Sequence, residues 1–416
     1  MNESSGRILT IKAETPAYGG ITIGRHDGKV VMIKGAIPGE TVEARVDEEK
    51  KDYSTATVVR VVEPSPDRVE PPCGHFGLCG GCQLQYIAYG RQVTIKEEVL
   101  RNTILRIAKL DVALSDPLTG EPWNYRHRGQ FKVAGDAAGF FGEKSRDIVD
   151  IDSSPLMTKE VNEFYGRAKT LIKDTGTSEL HVSCGDGAAA LVKLPGVNGT
   201  SADKLGKSLM DAGFTAVFIE RDKRNVYKYG RGYIELELDG LKYTVSPASF
   251  FQSNWRLNQA LVGLVREHLS PLDGKHVLDL YSGAGNFSLP LARYARKVTA
   301  VEENPPAVED GKRNARLNGI RNCSFIRTPV DRLRVAEPVD VLITDPPRTG
   351  LTDSAVELIL AKRPGQVVYV SCNPATFARD LKKLSAKYYV ESIRLVDFFP
   401  QTYHIESAAF LRLTPP

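Results

Sequence analysis

From about Thr244 to the C-terminus the sequence alternates strands and helices, which predicts an α/β protein built on an open, mostly parallel, doubly wound sheet. Two further observations complete the fold class. Short period-2 strands separated by glycine turns fill positions 1–66 and predict a small OB-like β-barrel. Positions 120–240 read as a mixed, β-rich region with a hairpin turn at Asp186-Gly187. The expected domains are therefore 1–66, 67–243 and 244–416.

In chain order, the barrel strands are carried by Val30 to Ile33, by alternating Val42, Ala44 and Val46, and by Ala56 to Val62. Gly19-Gly20, Asp27-Gly28 and Pro38-Gly39 supply the turns. A proline-rich stretch, Glu63 to Pro72, reads as a linker and leads straight into a cysteine cluster. Apolar residues at Val93, Val99, Leu100, Ile104, Ile107 and Leu110 then predict a helix over about 91–110, expected to pack on the C-terminal domain. The strands of that domain are expected at 276–281, 297–303, 323–328, 339–345 and 366–372, with a final pair near 393–399 and 405–413. Pro306–Asn318 and Ala375–Ala386 are among the helices between them.

With 42% hydrophobic and 25% charged residues, the chain has the composition of an ordinary globular protein. No apolar run is long enough for a membrane span, and the first residues lack the character of a signal or transit peptide. A cytoplasmic, membrane-free protein is expected, with monomer as the default state. Six cysteines are too few for a disulfide scaffold, so clustered ones read as metal ligands or nucleophiles. The net charge of +4 announces no nucleic-acid partner, but local charge does. Positions 361–394 hold seven Lys/Arg against two Asp/Glu, and Tyr125, Arg126, His127 and Arg128 stand together. Aromatics beside cations suit a single-stranded RNA loop.

VLDLYSGAGNFSLPLA (277–292) reads as a strand, a glycine turn and a helix start. Gly283 and Gly285 permit close backbone approach to a ligand at the strand's carboxyl end. Glu302 ends the strand that follows this turn and helix, where it can reach two ribose hydroxyls. Ser288 replaces the third glycine of a dinucleotide fingerprint, so an adenosine ligand without pyrophosphate fits better, pointing to S-adenosylmethionine. TDPPRTG (344–350) follows the fourth strand and can orient a planar base with Asp345 and two rigid prolines.

YVSCNPATFARD (369–380) places Cys372 at a strand's carboxyl end beside a helix, where the helix terminus is expected to lower its thiol pKa. FFPQTYHIES (398–407) brings His404 and Glu406 to the neighbouring connection. A methyl donor, a thiol and a carboxylate point to one chemistry. Thiolate addition at carbon 6 of uracil makes carbon 5 nucleophilic, and a base must then remove the carbon 5 proton. Cys372 is the expected nucleophile and Glu406 the expected base.

At these residues the sequence resembles the RNA uracil-C5 methyltransferase family, over nearly the whole chain. The resemblance rests on a TRAM-type barrel (YGGITIGR, 18–25; IPGETV, 37–42), CGHFGLCGGCQLQ (73–85), WNYRHR (123–128), FFQSN (250–254) and the four C-terminal motifs. It implies a Rossmann-like methyltransferase domain in which Gln252, Tyr281, Glu302 and Asp345 line the S-adenosylmethionine and uracil site, with Asn286 in the same loop. It also implies that Phe250 stacks on a base flipped out of the RNA. Relatives of this type hold a 4Fe-4S cluster, which assigns Cys73, Cys79 and Cys82 as ligands, spaced C-x5-C-x2-C. Ser154 stands where the fourth cysteine is expected, and Cys184 reads as core. Large-subunit ribosomal RNA is the expected substrate, with the T-loop uridine of transfer RNA as alternative. Three rivals meet objections. A cytosine-C5 enzyme wants a cysteine after Pro347, where Arg348 stands; a TRAM-bearing radical enzyme wants C-x3-C-x2-C; and a non-catalytic RNA-binding module has no use for Cys372 and Glu406.

Overall fold

The computed structural model describes residues 6–143, 145–196, 199–222 and 226–415. Its first sheet comprises β1 (Ile8–Lys12), β2 (Thr15–Ala17), β3 (Ile21–His26), β4 (Lys29–Lys34), β5 (Thr41–Glu49) and β6 (Tyr53–Glu63), in the order β1-β5-β6-β4-β3-β2. Side-chain alternation along these strands gathers Ile11, Val31, Ile33, Val42, Ala44 and Ala56 into one small core. The linker is stapled back onto this sheet, because Arg68 donates to both carboxylate oxygens of buried Glu40 at 2.6 and 2.7 Å.

Helix α1 (Tyr89–Ala108) follows, and strand β7 (Leu114–Leu118) after it. The apolar stripe of α1, Val93, Val99, Leu100, Ile104 and Ala108, buries itself in one core with Leu278, Leu280, Phe377 and Leu381 of the C-terminal region. Residues 128–230 then form a separate layer. Strands β8 (Arg128–Ala134), β9 (Ala137–Phe141), β10 (Ile148–Asp150), β11 (Glu179–Cys184), β12 (Ala188–Lys193), β13 (Ala216–Glu220) and β14 (Val226–Gly230) make a mixed sheet, ordered β10-β9-β8-β11-β12-β13-β14. Helices α2 (Lys159–Ile172) and α3 (Gly199–Asp211) cover it, and Cys184 lies in their shared core.

A hairpin of β15 (Ile234–Leu238) and β16 (Leu241–Val245) and helix α4 (Trp255–Leu269) lead into the C-terminal layers. There β17 (His276–Leu280), α5 (Ser288–Ala292), β18 (Lys297–Glu302), α6 (Pro305–Leu317), β19 (Cys323–Arg327), β20 (Val341–Thr344), α7 (Asp353–Lys362), β21 (Gln366–Ser371), α8 (Pro374–Leu384), β22 (Tyr388–Val396) and β23 (Glu406–Leu413) alternate. The sheet runs β19-β18-β17-β20-β21-β23-β22-β7, parallel from β19 to β21 and antiparallel at β23. Its last strand comes from far upstream, since β7 pairs in parallel with β22. The order reverses between β17 and β20, and the loops at the strands' carboxyl ends there form the crevice where such sheets bind ligands. Among the described residues, no helix is long and apolar enough to cross a membrane.

Candidate active site

The crevice begins where β17 gives way to the glycine loop. Tyr281 has φ +62°, a strained value for a side chain with a Cβ, and it aims the chain into the turn through Gly283 (φ +55°) and Gly285 (φ +93°). The two glycines serve different needs. A Cβ on Gly283 meets nothing within 4 Å, leaving open space for a ligand, whereas one on Gly285 would approach Leu289 and Phe325 to 2.8 and 2.9 Å. Glu302 closes the loop from β18, accepting from the Gly283 amide at 2.9 Å and the Asn304 amide at 2.8 Å. Asn286 exchanges amide hydrogen bonds with Asn258 of α4 at 2.7 and 3.0 Å, which fixes the loop's far side. Beneath the loop, Ser288 donates its hydroxyl to Asp279, and burial pushes the Asp279 carboxyl up to about 7. That bond explains the serine at the third-glycine position.

Three chemistry-bearing side chains meet at adjacent strand ends. Asp345 follows β20, Cys372 follows β21, and Glu406 opens β23. The connections are tied together by the residues around Cys372. Asn373 caps α8 through the Ala375 amide (3.0 Å) and donates its Nδ2 to the Arg348 carbonyl (3.1 Å). Arg379 donates to the carbonyls of Thr349 (3.0 Å) and Leu351 (3.1 Å), and Asp380 accepts from the Leu351 amide and the Tyr369 hydroxyl, both at 2.8 Å. Gly350, at φ +76°, is the residue this crossing demands, because a Cβ would lie 2.5 Å from Asp380 Oδ2. The SCNPATFARD motif thus carries the candidate nucleophile followed by its own brace for the DPPRTG loop.

The electrostatics overturn one expectation. Rather than being lowered by the helix terminus, the Cys372 thiol is pushed up to about 11, first by burial and then by Glu406 and Asp345, with Arg348 opposing. The first-turn field of α8 is a smaller effect than desolvation and two nearby carboxylates. Glu406 itself, with Oε2 buried and unpartnered, is raised well above the usual carboxylate range by burial and by Asp345. Burial likewise takes Asp345 up to about 7. His404 is held down near 4 by burial and by the cations Arg348, Arg126 and Lys96, so it is a neutral imidazole.

Two remote segments hold the walls. Residues 126–128 run alongside 249–254: the His127 amide donates to the Ser253 carbonyl (2.8 Å), and buried Arg128 donates to the Ser249 carbonyl (2.8 Å). Gln252 is thereby buried at the wall, while Phe250 remains 69% exposed. On the other side, Lys96 of α1 donates to Asp397 (2.6 Å) and to the Phe399 carbonyl (3.0 Å), and Gln92 bonds the Gln401 side chain and amide, both at 2.9 Å. These contacts brace the loop that ends in Glu406. The roles of Lys96, Asp397, Asp279 and Arg348 escape a reading of the sequence. The available signal was a lysine interrupting an apolar helical stripe, and an aspartate inside a buried strand.

The cysteine loop lies against this same braced segment, since the amides of Gln83 and Leu84 both donate to the Gln401 carbonyl at 3.0 Å. Cys73, Cys79, Cys82 and Ser154 line one cavity of about 220 Å³, with Gln85, Arg126 and His404 also on its walls. Among the described residues no group of three His, Cys, Asp or Glu side chains is arranged to hold a single metal ion. The donor set does suit a larger sulfur-rich anion, in which each iron takes one thiolate. Arg126 Nε is buried with no hydrogen-bond partner and the Gln85 side chain reaches the Cys82 thiol, and both are donors of the kind that solvate sulfur.

Residues 193–414 match the model of the tRNA (Uracil-5-)-methyltransferase family, and residues 3–59 that of the TRAM domain. A 23S rRNA (uracil(1939)-C(5))-methyltransferase RlmD of Shewanella amazonensis is 36% identical over 97% of this chain and 96% of that protein. An uncharacterized RNA methyltransferase of Aquifex aeolicus is 34% identical over 97% and 98%. Among solved structures, a Pyrococcus abyssi tRNA (uracil-54, C5)-methyltransferase in complex with S-adenosyl-L-homocysteine superimposes with a TM-score of 0.78, at 28% identity over 97% of this chain and 99% of that one. The strand ends, the braced loops and these likenesses agree: the chain belongs to the tRNA (uracil-5-)-methyltransferase family.

Proposed function

We propose that the protein methylates carbon 5 of one uridine in RNA, with S-adenosylmethionine as methyl donor, Cys372 as nucleophile and Glu406 as base. The observation that carries this reading is the convergence of Cys372, Asp345 and Glu406 at adjacent strand ends, close enough for the two carboxylates to raise the thiol pKa. Gly283, Tyr281 and Glu302 are assigned to the adenosine side of the crevice, with Asn286 in its loop, and Gln252 and Asp345 complete the lining of the S-adenosylmethionine and uracil site. When bound, the donor supplies an electrophilic methyl group and a positive sulfonium that offsets the surrounding carboxylates.

The Cys372 sulfur, having lost its proton to solvent, bonds as the thiolate to carbon 6 of the uracil, and the displaced π electrons make carbon 5 an enolate carbon. Carbon 5 takes the methyl group, leaving neutral S-adenosylhomocysteine. Glu406 removes the carbon 5 proton; the double bond re-forms and the thiolate leaves. Replacing Cys372 with Ala is expected to abolish both methyl transfer and the covalent RNA adduct seen on a denaturing gel. A fully active C372A enzyme would end the proposal.

Ribosomal RNA is the favoured substrate because the Shewanella relative matches over nearly its full length. The Pyrococcus structure supports transfer RNA as the second reading. Mapping 5-methyluridine in total RNA with and without the gene decides between them. The cysteine cavity is assigned to a 4Fe-4S cluster held by Cys73, Cys79 and Cys82, with Ser154 or an exogenous group at the fourth iron; its chemistry there is structural. Iron and sulfide analysis of anaerobically purified protein tests this, and a colourless, iron-free preparation counts against it.

A further inference from the structure

We propose that Tyr18, carried into the catalytic mouth by the β-barrel, stacks on the nucleobase adjacent to the methylated uridine in the RNA strand. The inference rests on the methyltransferase reading above and adds a residue that contacts the substrate from a different part of the chain.

Tyr18 sits at the tip of the turn between β2 and β3, where Gly19 (φ +101°) and Gly20 (φ +72°) bend the chain tightly. The turn lies directly on the loop that precedes Glu406, for a Cβ on Gly20 would come 3.5 Å from the Tyr403 Cβ and 3.4 Å from Leu84. The Tyr18 ring meets the Tyr403 ring edge-on, at 5.5 Å between centroids and 86° between planes. Tyr403 in turn packs on His404 at 4.5 Å. An aromatic chain thus runs from the barrel almost to the base, Glu406. Tyr18 keeps 39% of its surface exposed. Its environment is that of the reaction centre, since Cys372 and Arg348 both act electrostatically on the hydroxyl.

A large aromatic ring held edge-on against Tyr403 and left partly open presents free ring surface at this position. It is well suited to a nucleobase. Extruding the target uridine strips its neighbours of one stacking partner, and an aromatic ring at the mouth replaces that stack. Arg348, an exposed cation 3.4 Å from His404 Nδ1, supplies the accompanying charge for the RNA backbone. The extruded base already has its own candidate ring in Phe250, which comes from the loop after β16 rather than from the barrel. That leaves the adjacent base for Tyr18.

The test uses the full-length protein, a uridine-containing RNA substrate, and the same RNA carrying 2-aminopurine next to the target. Y18F should bind and methylate as the parent does. Y18L, which keeps an apolar contact to Tyr403 and the turn, should raise the KM for RNA roughly 10-fold, the loss of one base–aromatic stack, with kcat at saturating RNA and S-adenosylmethionine affinity little changed. It should also abolish the quenching of 2-aminopurine that the parent protein produces on binding. Unchanged KM and unchanged quenching in Y18L would overturn the proposal, as would a loss in Y18F equal to that in Y18L. The quenching is read without any methyl transfer, so a failure of the Cys372 mechanism shows separately, as a missing covalent adduct.

Discussion

The loops at the carboxyl edge of the C-terminal sheet and the cysteine loop far upstream both gather chemistry-bearing side chains, yet they are built in opposite ways. At the sheet edge long-range bonds fix the loops: Asn373, Arg379 and Asp380 bond the neighbouring loop, Lys96 and Gln92 reach in from α1, and Glu406 Oε2 is left buried and unpartnered. In the cysteine loop the ties are mostly short-range turns, such as the Cys79 amide to the His75 carbonyl at 2.9 Å. A donor on Arg126 is left over. An edge braced from within can receive a substrate at small reorganisation cost and keeps an acceptor open at Glu406 Oε2, whereas the cysteine cavity keeps a donor open at Arg126 Nε.

The largest expected break in that comparison is chemical. Glu406→Gln should lower turnover by about 10³-fold or more while the covalent Cys372 adduct accumulates on methylated RNA, and the melting temperature should hold or rise because a buried acid is removed. A gel-shift of denatured protein–RNA adduct reads it. Next is the brace itself. Lys96→Met leaves Asp397 buried without its cation, and should cost about 3–5 kcal/mol of stability in urea denaturation.

A third expectation concerns pH. Asp279 and Asp345 sit near 7 in the folded protein, above their ordinary value, so the folded state binds protons that the unfolded state has released. Their stabilising contribution is complete at about pH 4 and is lost as the pH rises through about 7. The free protein should therefore melt at a lower temperature at pH 8 than at pH 5, and Asp345→Asn should flatten the slope. For activity the sign is opposite. A thiol near 11 is deprotonated about tenfold more with each pH unit, so kcat/KM for RNA should rise from pH 6 to 8. The smallest effect belongs to the cysteine loop: Cys79→Ser should release iron and speed amide exchange over residues 73–85, leaving exchange at 369–380 unaltered. Ser154→Cys should do the reverse, retaining iron longer in air.

Much of the catalytic edge is legible in sequence because its motifs are local. A buried strand, two glycines and an acid closing the following strand state their geometry within one βαβ unit, and SCNPATFARD contains both the proposed nucleophile and its brace. The exceptions all involve partners distant along the chain. LSDPL, with its proline and mixed polarity, carries little strand signal, and its pairing partner β22 lies near the opposite end of the chain. The thiol's upward shift is hidden for the same reason: its helix is adjacent in sequence, whereas Glu406 and Asp345 arrive from other loops. Tyr18 is an ordinary turn aromatic until the barrel is placed against Tyr403.

The origin of that outermost strand has a practical side. Because Tyr89–Ala108 and Leu114–Leu118 complete the layers formed after Val245, everything between them is a detour in the chain. A clone cut to begin at the hairpin would keep every reactive side chain and lack a border and a flank, and ought to precipitate. Shortening the detour from within, between its own neighbouring strands, would leave both intact, which makes that layer the place to graft a different RNA-reading module.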